Sequence, residues 1–334
     1  MVYKNLIVGL FAFFIVFSGG IGLKENTASA SQVDPDTAYS YDVLTKDIKA
    51  LADRYPEAIT YQTIGTSPYG REIWAVKVGS GEKNILVNGS HHAREWLTST
   101  LNMKMVEEYA KAYSNNTTIN GFQVRSLLND VAIWFVPMVN PDGVTLQQQG
   151  LGAFPSSTHN DLKAMNDGSS DFTRWKANAK GEDLNRQYPA DWENIKHSSG
   201  KPYYKDFKGY YPMQAVESQH LASFTYETGP RSTIAYHSAG EIIYWYFNQD
   251  GNQYERDKSV VDNIGLITGY QPVSPEPNPS GGGYTDWFVD EFKRTGLTVE
   301  IGAYPGERHL PTSAFEQIWN KNKIVPLRMA QNAR

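Results

Sequence analysis

The sequence contains no cysteine among its 334 residues. This absence excludes disulfide scaffolds, thiol nucleophiles, iron–sulfur clusters and thiolate metal sites. A metal site in this chain must therefore use histidine, aspartate and glutamate as ligands. The sequence also lacks a Gly-x-Ser-x-Gly motif, which argues against a serine hydrolase with a nucleophile elbow.

The chain has no excess of positive charge. Its 31 lysines and arginines are outnumbered by 36 aspartates and glutamates, which gives a formal net charge of −5. We therefore expect neither a nucleic-acid partner nor attachment to an anionic membrane surface. Hydrophobic residues make up 40% of the chain and charged residues 20%, which is typical of a globular domain.

No apolar run has the length of a transmembrane helix. The run from Leu6 to Phe17 follows Lys4 and precedes Ala28-Ser29-Ala30, a small-x-small pattern typical of signal-peptidase sites. Residues 1–30 are therefore predicted to be a signal peptide, with an uncleaved membrane anchor as the alternative. We expect residues 31–334 to form a single domain, secreted or associated with the cell wall, without a stable membrane anchor and monomeric.

Helical and strand patterns alternate along the rest of the chain. This alternation predicts an α/β fold, with an open twisted mixed β-sheet flanked by helices on both faces. The predicted helices are 42–54, 96–113, 214–224, 258–269 and 314–329, and the predicted strands are 58–64, 73–78, 85–87, 131–139, 232–236 and 297–301. Polar residues lie just after three of these strands: His91 and His92, Asn140, and His237. Ligands bind outside the carboxyl ends of strands in open α/β sheets, so we expect these residues to share one site.

The segment His92-Ala93-Arg94-Glu95 is the strongest local indication of chemistry. A histidine and a glutamate three residues apart can face the same way and offer one nitrogen and one carboxylate to a metal. The pattern is common by chance on solvated helix surfaces. His91, four residues before Glu95, is an alternative partner, so spacing alone leaves the ligand open.

Five ordered motifs resemble those of the zinc metallocarboxypeptidase family. They are Gly89-Ser90-His91-His92-Ala93-Arg94-Glu95-Trp96, Asn140-Pro141-Asp142-Gly143, Asp183-Leu184-Asn185-Arg186, His237-Ser238 and Thr298-Val299-Glu300-Ile301-Gly302. The resemblance extends over most of the chain. Segments around 175–178, 237–247 and 275–287 look most like the bacterial branch that contains γ-D-glutamyl-L-diamino acid (meso-diaminopimelate) endopeptidases.

The resemblance implies a ligand set for one Zn²⁺ per chain. His92, Glu95 and His237 would bind the metal and leave a fourth position for water. Glu300 would take a proton from the attacking water and return it to the leaving amine. Other divalent ions could also occupy a site with two histidines and a glutamate. Without the resemblance, His237 and Glu300 would be interpreted as ordinary residues at strand ends.

The resemblance also implies how substrate is held. Asn185 and Arg186 would bind a free terminal carboxylate, because a guanidinium pairs with a carboxylate in a bidentate way. Arg94 would help to bind substrate, although a surface salt bridge is an alternative for it. Asp183 would orient a metal-bound histidine, with a helix or turn cap as its alternative.

Two positions depart from the family pattern. Lys176 stands where the family usually has the arginine that stabilises the oxyanion, and Arg174 is an alternative for this role. The family's mobile loop tyrosine is missing, because the equivalent segment reads Glu276-Pro277-Asn278-Pro279.

The sequence therefore predicts a secreted zinc peptidase that hydrolyses a peptide bond next to a free carboxylate. The leading hypothesis for its substrate is the γ-D-Glu–diaminopimelate bond of peptidoglycan stem peptides. The alternatives are a general secreted metallocarboxypeptidase that trims ordinary peptides, a non-catalytic wall-binding protein, and a small-molecule deacylase. The complete set of His92, Glu95, His237 and Glu300 argues against the non-catalytic alternative.

Overall fold

An eight-stranded mixed β-sheet forms the centre of the computed structural model, which describes residues 31–334. The strands are β1 (Ile59–Thr66), β2 (Glu72–Val78), β3 (Lys83–Gly89), β4 (Thr118–Ile119), β5 (Phe122–Gln123), β6 (Val131–Val136), β7 (Ser232–His237), β8 (Ile242–Tyr244), β9 (Gln271–Pro272) and β10 (Thr295–Glu300). Their order in the large sheet is β1-β2-β6-β3-β7-β10-β8-β9, and β4 and β5 form a separate hairpin. The predicted signal peptide lies outside the described residues.

Helices cover both faces of this sheet. They are α1 (Tyr41–Arg54), α2 (Leu97–Ser114), α3 (Val124–Asp130), α4 (Pro141–Gln149), α5 (His159–Met165), α6 (Val216–Thr228), α7 (Gly251–Thr268), α8 (Tyr284–Phe292), α9 (Phe315–Asn322) and α10 (Val325–Asn332). The predicted fold class, an open α/β sheet between helical layers, is confirmed.

The alternation of side chains along the central strands explains the two layers. In β3, Ile85 and Val87 pack into one hydrophobic cluster, and Leu86 points into another on the opposite face. Successive side chains of a strand face opposite sides, so a strand that is apolar at every position must be covered on both. Helices α1, α2, α9 and α10 contribute to the first cluster, and α6 and α8 contribute to the second.

The sheet combines parallel and antiparallel pairs. The strands β6, β3, β7 and β10 are consecutive parallel neighbours, and β1 and β2 extend the sheet in antiparallel fashion at one side. The carboxyl ends of β3, β7 and β10 therefore meet at one edge. In this edge Glu300 of β10 lies directly opposite His237 of β7.

Two predicted elements end earlier than expected, and proline explains both. The predicted strand 131–139 stops at Val136, directly before Pro137, which cannot donate to a ladder of hydrogen bonds. The predicted helix 314–329 is two helices, and α10 begins next to Pro326 at a first-turn position. Proline is tolerated in a first turn and disrupts a helix interior.

A long segment between α5 and α6 has little regular structure and packs around its own small core. Phe172, Trp175 and Tyr204 are buried there together. Backbone N–H groups of Lys176 and Ala177 both donate to the carbonyl of Tyr204, at 2.9 Å each. These bonds hold the segment in one conformation beside the carboxyl edge of the sheet.

Candidate metal centre and active site

The metal motif begins where β3 ends. His92 precedes a short 3₁₀ turn, Ala93–Glu95, which leads into α2. Ser90 in the preceding turn adopts a left-handed backbone with a φ of 51°. Its hydroxyl lies 2.7 Å from Ser99 Oγ and 3.0 Å from Thr98 Oγ1, so hydrogen bonds stabilise a conformation that is unfavourable for a side-chain-bearing residue.

Three predicted ligands converge at this edge. His92 Nδ1 lies 2.8 Å from Glu95 Oε1, His237 Nδ1 lies 2.9 Å from Glu95 Oε2, and the two Nδ1 atoms are 3.2 Å apart. All three residues are buried. Within the described residues, they form the one group of histidine or acidic side chains whose ligand atoms lie close enough to hold a metal.

The donor set fits a zinc ion. Two nitrogen ligands at the usual zinc distances in a tetrahedral arrangement are separated by about 3.3 Å. The observed Nδ1–Nδ1 distance of 3.2 Å agrees with this value. Two imidazole nitrogens and one carboxylate are the type of ligands that Zn²⁺ takes in catalytic sites, where three protein ligands leave one position open.

The structure distinguishes between the two adjacent histidines. His91 points behind the metal motif, where its ring stacks on His237 with centroids 5.4 Å apart. Its Nε2 lies 3.2 Å from the hydroxyl of Tyr188. Burial lowers the pKa of His91 well below its usual value, so its ring is neutral. His92, and not His91, presents its nitrogen to Glu95.

Asp183 lies on the far side of His92. Its Oδ1 is 3.1 Å from His92 Nε2, and its Oδ2 is 3.1 Å from Lys176 Nζ. Burial raises the pKa of Asp183, but the charges of Lys176 and His92 outweigh burial and hold it well below the usual range. An ionised carboxylate that accepts from Nε2 directs the Nδ1 lone pair toward the metal position. The predicted alternative role also occurs, because Asp183 caps the turn Leu184–Arg186.

Lys176 and Arg186 form a positively charged wall of the cleft. Arg186 Nη2 donates to Asp206 Oδ1 at 3.2 Å, and Lys176 Nζ lies 3.5 Å from the same oxygen. Burial lowers the pKa of Lys176, but Asp183 and Asp206 outweigh it, so that its pKa is raised and the ammonium stays charged. Asp206 had not been predicted, because it lies in a loop without a motif.

Asn185 lies beside Arg186 with its side chain anchored at one end. Its Oδ1 accepts from the backbone N–H of Tyr284 at 3.0 Å, which directs the amide nitrogen toward the cleft. Asn185, Arg186 and Lys176 all line one cavity of about 450 Å³ together with His92 and Glu300. These predicted site residues are therefore brought together.

The two other predicted arginines lie outside this cavity lining. Arg94 Nη1 donates to the backbone oxygen of Arg174 at 3.0 Å. Arg174 itself pairs with Asp167 at 2.6 Å and stacks on the ring of Tyr204. Between the two alternatives for the oxyanion role, Lys176 lines the cavity and Arg174 does not.

Glu300 faces the same cavity from the end of β10. Removal from water raises the pKa of Glu300 to about 7, and the neighbouring Glu95 adds to this while His237 and Lys176 oppose it. A carboxylate with a pKa near neutral can both accept and return a proton at ordinary pH.

Asp286 is a further acidic residue of this cavity that the sequence motifs did not identify. It lies in the first turn of α8, where its Oδ2 accepts from Gly283 N at 3.1 Å. Burial raises the pKa of Asp286 to about 7. The spacing Gly283-x-x-Asp286 is a capping-box spacing and could have indicated the helix start.

The glycine segment before α8 forms part of the cavity wall. A Cβ at Gly281 would lie 2.0 Å from the carbonyl oxygen of Ala190, so only glycine fits there. Gly282 has a φ of +85° and donates to the same carbonyl at 2.8 Å. Backbone contacts thus fix this wall against the segment that follows Arg186.

Two tyrosines lie near the position of the missing loop tyrosine, and they differ in whether they reach the cavity. Tyr284 is fully buried, and its hydroxyl lies 3.0 Å from Thr225 Oγ1, so it does not cover the cleft. Tyr244 of β8 is 46% exposed and lines the cavity. Burial raises the pKa of Tyr244, and the charges of Glu300 and Glu276 raise it further, which places its hydroxyl in their field.

Comparisons with known proteins agree with this geometry. Residues 44–324 match the profile of the zinc carboxypeptidase family, peptidase M14. The chain is 35% identical over 285 residues to gamma-D-glutamyl-L-diamino acid endopeptidase 1 of Lysinibacillus sphaericus. This match covers 85% of this chain and 70% of the relative. It is 32% identical over 295 residues to the protein YqgT of Bacillus subtilis. That match covers 87% of this chain and 77% of YqgT.

Among solved structures, bovine thrombin-activatable fibrinolysis inhibitor in complex with tick carboxypeptidase inhibitor superposes with a TM-score of 0.71. The match covers 90% of this chain and 98% of that chain at 18% identity, and it shows that the fold is shared. The family match covers most of the chain and includes all the residues that converge on the metal position. The chain therefore belongs to the zinc carboxypeptidase family and is a zinc-dependent peptidase.

Proposed function

We propose that this peptidase hydrolyses the bond between γ-D-glutamate and diaminopimelate in peptidoglycan stem peptides. The observation that carries this proposal is the combination of charges in the cavity. Lys176 and Arg186 are cationic, and Asp286 offers a carboxylate in the same cavity. Released diaminopimelate bears an ammonium and a carboxylate beyond those of an ordinary amino acid, so it needs partners of both signs.

The relationship to the Lysinibacillus endopeptidase supports the same substrate. That relative is named for cleavage at a γ-D-glutamyl-L-diamino acid bond, and it is 35% identical to this chain.

Each residue then has a role. His92, Glu95 and His237 would hold the zinc ion, and Asp183 would orient His92. The bound metal would supply Lewis-acid polarisation of the scissile carbonyl and a lowered pKa of water. Glu300 takes a proton from the attacking water on its carboxylate and passes it to the leaving amine nitrogen.

The cationic wall acts on the substrate oxygens. Arg186 pairs with the free carboxylate of the residue that is released, and Asn185 donates its amide N–H to the same group. Lys176 holds positive charge where negative charge develops on the carbonyl oxygen, which is the role of a preorganised electrostatic group. Arg94 fixes the backbone of the loop that carries Lys176, through its hydrogen bond to the carbonyl of Arg174. Tyr244 supplies the phenol that the missing loop tyrosine would provide.

We also infer that residues 1–30 direct secretion and that residues 31–334 act as a single monomeric catalytic domain outside the cell or at the wall. The compact unit Gln32–Arg334 supports the domain boundary. In the described part of the chain, no helix is long and apolar enough to cross a membrane.

A digestion experiment tests the substrate. The protein is incubated with L-Ala-γ-D-Glu-meso-diaminopimelate in three samples. The first has no addition, the second contains a metal chelator, and the third receives the chelator and then zinc. We expect mass spectrometry to detect free diaminopimelate in the first and third samples only. A matched peptide with an amidated terminal carboxylate serves as the control and should react much more slowly. Release of ordinary C-terminal residues, without release of diaminopimelate, would replace this substrate by ordinary peptides.

A further inference from the structure

A second cavity lies at the opposite edge of the sheet from the metal centre. Strands β7 and β10 are parallel, with Ser232 opposite Thr295 at their beginnings and His237 opposite Glu300 at their ends. Five residue steps separate these pairs, a distance of about 16 Å along the strands. Ser232 and Thr295 line this second cavity, which has a volume of about 330 Å³.

Arginine side chains dominate the wall of the second cavity. Arg231 and Arg294 directly precede the two strands, Arg256 comes from α7, and Arg334 comes from the end of the chain. No aspartate or glutamate lines this cavity among the described residues. Four guanidinium groups around one small space create a positive field, which is unexpected in a chain with a net charge of −5.

Only two of these four charges are neutralised by carboxylates. Arg256 pairs with Asp257 at 2.9 Å, and Arg334 pairs with Asp130 at 2.9 Å.

The other two guanidinium groups lack an acidic partner. Arg294 Nη1 donates to the neutral backbone oxygens of Gly229 and Pro230, at 2.7 and 2.8 Å. The side chain of Arg231 is exposed, and within the described residues it makes neither an ion pair nor a hydrogen bond. Two positive charges are therefore left without compensation at this cavity.

The neighbouring surface cancels only part of this charge. An adjoining cavity shares Arg231 and Arg294 and adds Glu82 and Lys83. Lys83 Nζ donates to the chain-end oxygen of Arg334 at 2.7 Å, so Glu82 is the carboxylate that this adjoining cavity adds.

Ser232 provides a second, independent indication of a ligand. It is 6% exposed, and its hydroxyl is buried without a hydrogen-bond partner in the described structure. Buried hydroxyl groups in folded proteins nearly always have a partner. Because Ser232 also lines the cavity, an anion bound there would accept a hydrogen bond from its hydroxyl.

We propose that this cavity binds a phosphate-type oxyanion at Arg231, Arg294 and Ser232. Two uncompensated guanidinium groups match a tetrahedral group with several oxygens and a charge close to −2 better than a single carboxylate with a charge of −1. Arginine is the residue best suited to bidentate recognition of phosphate. Free phosphate and a phosphate monoester share this chemistry, whereas a phosphodiester carries a single negative charge. The site is independent of peptide hydrolysis, because it lies at the other end of the catalytic strands.

Isothermal titration calorimetry on the zinc-loaded full chain tests this proposal. The probes are inorganic phosphate, glycerol 3-phosphate as a soluble phosphate monoester, and acetate as a monoanion. The variant Arg231→Glu reverses one charge on an exposed side chain that makes no hydrogen bond or ion pair within the described residues, so we expect the fold to be retained. Arg54→Glu makes the same charge change on α1, outside the cavity lining. Arg186→Ala removes the arginine of the catalytic cleft, where phosphate could also bind.

We expect saturable phosphate binding that is weakened at least about tenfold by Arg231→Glu and is unchanged by Arg54→Glu and Arg186→Ala. Acetate should bind much more weakly, and peptide turnover by Arg231→Glu should match that of the wild type. Equal binding of both phosphorus probes shows that the site accepts a phosphate monoester as well as the free ion, and binding of inorganic phosphate alone identifies the free ion. Absence of saturable binding, equal binding by Arg231→Glu, or loss of binding in Arg186→Ala would overturn the proposal.

Discussion

At the scale of single residues, the centre separates metal binding from proton transfer. His92, Glu95 and His237 point their ligand atoms at one another, whereas Glu300 stands beside them at the end of the next strand. A substitution can therefore abolish proton transfer and leave metal binding intact.

Glu300→Gln tests the assignment of proton transfer. The amide keeps the size of the side chain and cannot accept the proton, so we expect zinc content to stay at one per chain and kcat to fall by at least about 10²–10⁴-fold. Atomic absorption and steady-state kinetics measure the two quantities. Glu276→Gln removes an exposed carboxylate from the same cavity and should retain the wild-type kcat. Near-native turnover by Glu300→Gln would remove this residue from the mechanism.

Arg186→Lys tests the binding of the terminal carboxylate. Lysine keeps the charge but loses the planar pair of donors, so kcat/KM for a free-acid substrate should fall by about 10- to 100-fold, mostly through KM. The amidated peptide is the control substrate, and its slow hydrolysis should change little. An equal loss for acid and amide would show that Arg186 does not bind the carboxylate.

Asp286 predicts a pH dependence that depends on the substrate. Because burial raises the pKa of Asp286 to about 7, its carboxyl is mainly protonated below this pH and cannot pair with an ammonium. The preference for a substrate with a second ammonium, relative to an analogue without it, should therefore increase as the pH rises through about 7. The ratio of the two kcat/KM values cancels the titration of groups common to both reactions.

Asp286→Asn is the corresponding variant. Its preference ratio should be low and independent of pH, since the amide has no charge to gain. If Asp286→Asn kept the pH dependence of the wild type, the change in preference would have to come from another titrating group.

At the scale of secondary-structure elements, α6 supports the loop that carries Lys176 and Arg186. Asn178 Nδ2 donates to both Glu217 oxygens at 3.2 Å and to Glu182 Oε2 at 2.9 Å. Glu217 is fully buried, and burial raises its pKa from 4.5 to about 8, with the charges of Asp142 and Glu182 adding to the effect. The loop is therefore anchored by a carboxyl group that is protonated at neutral pH.

This anchor predicts a pH-dependent stability. The unfolded chain releases the Glu217 proton above pH 4.5, whereas the folded chain keeps it until about pH 8. The folded state thus binds more protons within this window, and its stability decreases as the pH rises from 4.5 to 8. Glu217→Gln removes the titration. Raising the pH from 4.5 to 8 should therefore stabilise this variant relative to the wild type by on the order of 4 kcal/mol.

Chemical denaturation at the two pH values measures this difference. Glu227→Gln changes an exposed glutamate of the same helix and should follow the wild type at both. A Glu217→Gln curve parallel to the wild type would show that Glu217 ionises in the folded state.

The elements also show which parts of the fold could be predicted from the sequence. Strands such as β3 and β7 are continuous apolar runs, and their periodicity and flanking turns identify them. Helix α8 was not predicted, although Tyr284, Trp287 and Phe288 recur at helical spacing and the Gly283–Asp286 cap marks its start. The segment that contains α9 and α10 was predicted as one continuous helix, although Pro326 lies within the predicted range.

The same contrast applies to the site. The metal residues were predicted because the short motifs that contain them resemble those of a known family, and the structure brings them within contact of one another. Asp206 and Asp286 act through tertiary contacts between segments far apart in the chain, so no local pattern reveals them. The choice between Lys176 and Arg174 depends on which side chain turns into the cavity, and this is decided by the packing of Arg174 on Tyr204.

At the scale of the whole molecule, the metal position joins two parts of the sheet. His92 and Glu95 follow β3, and His237 ends β7, so an ion held by all three links the turn before α2 to the neighbouring strand. A ligand that binds only the folded state stabilises it.

Removal of the metal should therefore lower stability as well as activity. We expect a chelator to abolish hydrolysis and to lower the Tm by several degrees, and added zinc should restore both. Differential scanning calorimetry measures the shift. The variant His237→Ala lacks a ligand, so the chelator should have little further effect on its Tm. A chelator-induced shift of equal size in His237→Ala would place the stabilising metal elsewhere.

The most direct test of the central claim is a competition in one tube. L-Ala-γ-D-Glu-meso-diaminopimelate and an ordinary L-peptide with a free C-terminus are mixed at equal concentration with the zinc-loaded protein, and mass spectrometry follows both products. The charges around the cavity predict that diaminopimelate is released faster by at least about 100-fold, which corresponds to about 3 kcal/mol of discrimination between the transition states. Faster release from the ordinary peptide would contradict the account and identify a general carboxypeptidase.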